Sequence, residues 1–127
     1  MAGASLGYHE AEDKLSAETK NTHKALVSLQ EELEAIDWYR QRADAVEDEA
    51  LKAVLLHNMG EEIEHACMLL EWLRRHVPLF DRNMRVYLFK EKPITEIEKA
   101  EEQAQTPVPP RRHPGTNGLT VGTMKGD

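Results

Sequence analysis

Three side chains in this sequence carry oxygen and nitrogen donors at spacings that suit a metal ion: Glu32, Glu62 and His65. Glu62 and His65 are three residues apart, so on a helix they share a face and can grip one ion together. Carboxylate and imidazole donors suit iron or manganese better than a thiolate-loving metal, although zinc also fits a mononuclear Glu/His site. Four-helix di-iron proteins use a Glu from each of two helices and a Glu-x-x-His from each of the other two. This chain supplies one Glu and one Glu-x-x-His, which is half of that set. A two-fold dimer would bring each residue beside its symmetry mate and complete it.

The elements that must position these donors are two long helices. The first is expected from about Ser16 to Arg42, with Ser16 as N-cap and Glu18 in the first turn, where the helix dipole favours an acid. The second is expected from about Asp48 to His76, closed off by Pro78 because the residue before a proline disfavours helix. The break between them is soft, since Ala43 to Val46 holds no Gly or Pro. A shorter third helix follows Pro93, with Thr95 available as a cap. Asn83 to Phe89 fits an extended or irregular segment, and periodicity does not decide it. The fold class is therefore all-α: an antiparallel two-helix subunit with a short third helix, dimerising into a four-helix bundle. Two helices alone bury too little apolar surface to stand as a monomer.

Winding each helix at about 100° per residue shows what shares the apolar stripe. On the first helix Thr22, Ala25, Leu26, Leu29, Leu33 and Ile36 make one face, with Glu32 and Tyr39 about 60° and 80° off Leu29. On the second, Leu51, Leu55, Met59, Ala66, Leu69 and Leu73 form the stripe, with Glu62 in its middle and His65 about 60° away. An ionised carboxylate at such a position is costly unless a partner or a metal compensates it. No Lys or Arg lies on either stripe nearby to serve as counter-ion. A His–Glu hydrogen bond within a core remains the plain alternative. Tyr39 fits either a hydroxyl reaching the site or a core tyrosine with its hydroxyl at the surface.

A second face of the first helix carries Val27, Glu31, Glu34 and Trp38; its carboxylates would either guide cations inward or stand solvated. On the second helix His57, Glu61 and Glu64 fall at i, i+4 and i+7, a loose cation site or an ordinary solvated face. Of the 127 residues, 31% are charged and 40% hydrophobic, so the chain is not disordered throughout. Net charge is −7, with −9 on residues 1–104 and +2 on the remainder. That acidic body argues against nucleic acid as partner. No run approaches the ~20 apolar residues that span a bilayer, and the first residues hold no secretory signal. Cys67 is the one cysteine, which excludes an intrachain disulfide, makes an intracellular location the default and predicts a buried, inert thiol.

The organisation expected is a helical domain over residues 1–104, a Pro-rich linker over 105–118 and a terminal segment over 119–127. The linker holds four of the six prolines. After it, apolar residues return at Leu119, Val121 and Met124, as either a frayed terminus or a docking peptide on a tether.

Several long motifs occur in order that resemble encapsulated ferritins: Glu31-Glu-Leu-Glu-Ala-Ile-Asp-Trp-Tyr39, Glu61-Glu-Ile-Glu-His65, Leu70-Glu-Trp-Leu-Arg-Arg75, Tyr87-Leu-Phe89 and Pro93-Ile-Thr-Glu-Ile-Glu98. The resemblance covers about residues 15–102 and again 118–126. It implies a ferritin-like four-helix bundle and a ferroxidase, oxidising Fe2+ with dioxygen at a di-iron centre across a subunit interface, in ring-shaped decamers built as pentamers of dimers. It implies Glu32, Glu62 and His65 as iron ligands, Tyr39 as their neighbour, and Glu31 and Glu34 as channel carboxylates. His57, Glu61 and Glu64 match an outer site for calcium or another divalent ion. The segment Leu119-Thr-Val-Gly-Thr-Met-Lys-Gly126 resembles a peptide that loads cargo into an encapsulin shell, with Met124 where Leu is more usual. The expected location is then cytoplasmic, inside an encapsulin nanocompartment.

Overall fold

The computed structural model describes residues 7–105, all of whose regular structure is helical. The chain divides into two units, Met1–Lys90 and Glu91–Asp127. In the first, a 3-10 turn at Glu12–Lys14 precedes α1 (Ala17–Ala45), α2 (Glu49–His76) and α3 (Pro78–Tyr87). The second contains α4 (Ile94–Gln105). No described helix is long and apolar enough to cross a membrane. The linker is expected to start at Gln105, but Gln105 is the last residue of α4, where no Gly or Pro yet breaks the helix. The rest of that linker and the terminal segment, residues 106–127, lie outside the described residues.

The helix ends follow from local chemistry. Ser16 caps α1 as expected, its Oγ accepting from the Thr19 N–H at 3.0 Å. α1 continues three residues past Arg42, because nothing between Ala43 and Ala45 breaks a helix. Val46 then turns extended (φ −78°, ψ 141°), and Asp48 Oδ1 accepts from the Leu51 N–H at 3.0 Å to start α2. So short a connection folds α1 and α2 back antiparallel. Basic Arg74, Arg75 and His76 occupy the last turn of α2, where the dipole favours positive charge.

α3 decides Asn83 to Phe89, which periodicity leaves open, and makes most of it helical rather than extended or irregular. Pro78 ends α2 through Val77, but its fixed φ and missing N–H suit the first position of a new helix. Arg85 Nε donates to Asp81 Oδ1 at 2.9 Å one turn away, and Arg74 on α2 also binds Asp81, joining the two helices. Only Leu88 and Phe89 leave the helix, Phe89 at a left-handed φ of 60°.

The α1–α2 seam is lined by small residues. Ala25, Ala43, Ala66 and Leu73 are the buried apolar side chains among the described residues. Alanines let the two backbones approach closely, but they contribute little buried area. Leu33, Leu51, Val54 and Ile63 stay exposed at 52%, 47%, 54% and 43%. A helix pair that leaves so much apolar surface in water has half a core. Cys67 is exposed rather than buried, a correction with a simple geometric cause. It lies about 140° round α2 from Glu62, away from the seam, where it lines an open groove with Leu70, Met84 and Leu88.

Candidate metal centre

α1 contributes Glu32 from the flank of its apolar stripe, and α2 contributes Glu62 and His65 one turn apart. Each of the three offers a ligand atom within 4.8 Å of the others. Among the described residues this is the one group of three or more such donors so placed. His65 Nδ1 lies 3.1 Å from Glu62 Oε1, a hydrogen bond in the tautomer protonated there, and 3.6 Å from Glu32 Oε1. The two carboxylates are largely covered, with 22% and 25% of their side chains exposed, whereas the imidazole is 46% exposed. The cluster therefore sits on the flank of the hairpin, half in and half out of water.

The electrostatics are those of two acids competing for one proton. Hydrogen bonding to Glu62 holds the Glu32 carboxyl above its ordinary range, with partial burial and the Glu62 charge adding to this and His65 opposing it. The same hydrogen bond lowers Glu62, helped by His65. His65 is raised, first by its hydrogen bond to Glu62 and then by the charges of Glu32, Glu62 and Glu61. Glu32 Oε1 is buried and has no hydrogen-bond partner. A buried oxygen left unsatisfied beside two further donors is what a cation would complete, so the donor set fits iron or another oxygen-preferring divalent ion.

Residues 7–91 match the model of the EncFtn-like family. A curated encapsulated ferritin-like protein of Rhodospirillum rubrum is 45% identical to this chain, covering all of it and 94% of the relative. The chain belongs to the EncFtn-like family. A ferritin-like protein of Thermotoga maritima is 51% identical over 72% of this chain and 81% of its own length. An encapsulin nanocompartment cargo protein, EncC, of Myxococcus xanthus is 27% identical over 93% of this chain and 95% of its own. Among solved structures, protein ne0167 from Nitrosomonas europaea superposes with a TM-score of 0.67 at 56% identity, covering 69% of this chain and 97% of that one.

The remaining candidates of this EncFtn-like chain stand apart from the cluster. Tyr39 is half-buried two turns from Glu32, with Arg42 over its ring at 5.9 Å. The same guanidinium lies 5.8 Å from the Trp38 ring, so one cation serves both aromatics. Glu31 is exposed and Glu34 half-buried on the outer face of α1. His57 Nε2 pairs with Glu61 Oε2 at 3.7 Å, but Glu64 is not drawn into a three-donor group with them. Sequence reasoning missed Arg42, although it stands three and four residues beyond the aromatics it covers. It also missed the Glu71–Arg74–Asp81 chain, whose members lie on the α2–α3 corner.

Proposed function

We propose that two copies of this chain pair over the Glu32/Glu62/His65 flank and oxidise Fe2+ to Fe3+ with dioxygen at the paired site. The observation that carries this is the half-finished cluster on a half-finished core. Three donors lie within 4.8 Å of one another, one of them an unpartnered buried oxygen, beside apolar side chains left in water. A two-fold axis at that flank gives four carboxylates and two imidazoles, the complement of a four-helix di-iron site. Membership of a family whose curated relatives include ferritin-like proteins supports iron as the metal.

In this function iron is the substrate. Glu32 and Glu62 bind Fe2+ and stabilise the higher charge of Fe3+, and His65 supplies a neutral nitrogen donor. Each ferrous ion gives up one electron, so a pair delivers two to dioxygen together with protons from solvent. Tyr39, two turns along α1 from Glu32, is the aromatic neighbour of the paired site, while Glu31 and Glu34 on the outer face of α1 attract cations toward the assembly. His57 and Glu61, paired at 3.7 Å, form the start of an outer divalent-ion site that Glu64 would have to turn inward to complete. Decamers form as pentamers of dimers. Leu119–Gly126 tethers the assembly inside an encapsulin shell; the Myxococcus xanthus relative is named as an encapsulin nanocompartment cargo protein, which supports a shell as partner.

The decisive experiment is oxygen uptake on adding Fe2+ to protein purified without chelator, compared with a Glu32→Ala/Glu62→Ala variant. Rapid uptake lost in the variant supports the proposal. Metal binding without uptake would make the protein a passive divalent-cation binder, and absence of both would make it a helical adaptor.

A further inference from the structure

The face of α2 that carries Glu62 and His65 holds a third polar residue. Asn58, Glu62 and His65 follow at i, i+4 and i+7, so they form one row along the helix. Relative to Glu62, Asn58 lies about 40° round the axis, between the direction of the α1 seam and that of His65. Leu51, Leu55 and Leu69 flank it on the same stripe, where another leucine would extend the apolar surface. Asn58 is already half-buried in the single chain. Its carboxamide joins none of the side-chain hydrogen bonds among the described residues. Asn83 on α3 differs, since its Nδ2 donates to the Leu79 carbonyl at 3.0 Å.

Position along the axis adds to this. With α1 and α2 antiparallel and Glu32 level with Glu62 and His65, Asn58 lies one turn, about 6 Å, toward the α1–α2 loop. Tyr39 lies in the same direction, about 10 Å along α1 from Glu32. Asn58 thus stands between the donor cluster and Tyr39. Covering this flank with a second copy would strip water from the amide, which then needs a partner to avoid the penalty of a buried, unsatisfied polar group. Glu62, one turn away, has spare acceptor capacity, because a carboxylate offers about four lone-pair sites and His65 and Glu32 use two.

We propose that Asn58 is a positioning residue for Glu62, its Nδ2–H donating to the Glu62 carboxylate at the pairing flank and fixing it toward the cation. This rests on the metal-site function proposed above. An amide suits the task because it carries no charge: a Lys or Arg at 58 would compete with the ion for the carboxylate. The ligating carboxylate loses orientational freedom before metal arrives, which lowers the entropy cost of binding.

The test uses the full chain and four proteins: wild type, Asn58→Leu, Asn58→Gln and Glu62→Ala. Each is titrated anaerobically with Fe2+ and melted without metal. Asn58→Leu is expected to melt at or above wild type, because an apolar side chain replaces an amide on an apolar stripe. It is nevertheless expected to bind Fe2+ about tenfold or more weakly, in the range for loss of an outer-shell partner. Asn58→Gln keeps the donor and is expected to bind within about threefold of wild type, well short of that outer-shell range. Wild-type affinity in Asn58→Leu overturns the inference. So does an equal loss in Asn58→Leu and Asn58→Gln, which would leave Asn58 a matter of shape alone. Fe2+ binding that survives in Glu62→Ala would instead overturn the metal site itself.

Discussion

Glu32 Oε1 and His65 Nδ1 face each other at 3.6 Å across the α1–α2 seam, and that carboxylate oxygen is buried without a hydrogen-bond partner. The separation is too long for a hydrogen bond and short enough for both atoms to bind one ion. Removing the charge at position 32 therefore has opposite effects on the metal-free protein and on its activity. Glu32→Gln relieves the repulsion with Glu62 and adds an amide donor, so the metal-free protein is expected to gain about 1 kcal/mol. Ferrous oxidation is expected to fall more than about 100-fold, beyond the usual loss for an outer-shell partner. Thermal melts and oxygen uptake check the two halves; a variant that melts lower or still oxidises iron contradicts the assignment.

Metal affinity is expected to rise with pH. Glu32 and His65 both hold their protons more firmly than usual in the metal-free cluster, Glu32 through its hydrogen bond to Glu62 and His65 likewise through Glu62. Binding a cation must release those protons, so lowering the pH opposes it. The steep part of the profile should lie around and above the ordinary imidazole value of about 6.5, since His65 is shifted upward from there. Anaerobic Fe2+ titrations at several pH values, with proton release measured in weak buffer, give the slope directly. A flat profile would mean that these groups are not the ligands.

The long helices, the Ser16 cap and the Glu32/Glu62/His65 trio were legible in the sequence because each is a matter of period and local chemistry. Glu62 announces itself by interrupting a row of leucines. The burial of individual residues was not legible in the same way. Cys67 has apolar neighbours in sequence, yet the seam is set by Ala25, Ala43 and Ala66, which draw the helices together on another side. α3 was hidden by Pro78, whose identity signals a helix end and a helix beginning equally well. What resolves the two is Asp81, held by Arg74 from α2 and by Arg85 from its own helix.

Pairing through the ligand flank predicts a selective effect at Val54. This side chain is 54% exposed in the single chain, on the side of α2 that carries Glu61 and His65. Val54→Glu leaves the α1–α2 seam intact but sets a further carboxylate against a second acidic copy. It is expected to shift the protein toward monomer in sedimentation, retain helical content by circular dichroism and oxidise Fe2+ slowly. Added Fe2+ should favour the paired form of the wild type, because four clustered carboxylates repel one another without a cation. Identical sedimentation with and without Fe2+ would count against a metal site at the interface.

The α2–α3 corner predicts a separate acid sensitivity. Bonding to Arg74 and then Arg75 holds the Glu71 carboxyl down at about 2, and Arg85 and Arg74 lower Asp81. A carboxylate with a depressed folded-state value stabilises above its ordinary value and loses that contribution as pH falls toward the depressed one. The corner should therefore hold at neutral pH and loosen only as pH falls from about 4.5 toward 2. Asp81→Asn removes the link between helices and is expected to make α3 cleavable by protease at neutral pH, while Fe2+ binding at the Glu32 cluster is retained. Protection of α3 in that variant would show that apolar packing alone holds the corner.

Shell loading should separate cleanly from chemistry. The segment from Leu119 follows α4 after 13 residues, 106–118, four of them proline. At about 3.1–3.6 Å per residue such a tether can extend roughly 45 Å, so docking there need not disturb the helices. A chain ending at Gly118 is expected to oxidise Fe2+ at the wild-type rate and yet fail to enter a co-expressed encapsulin shell. Met124 fills about the volume of the leucine more usual there, so Met124→Leu should load as well as wild type, whereas Val121→Asp should not. Recovery of the truncated chain inside purified shells would move the loading determinant to the helical body; loss of oxidation in it would show that the tail contributes to the metal site.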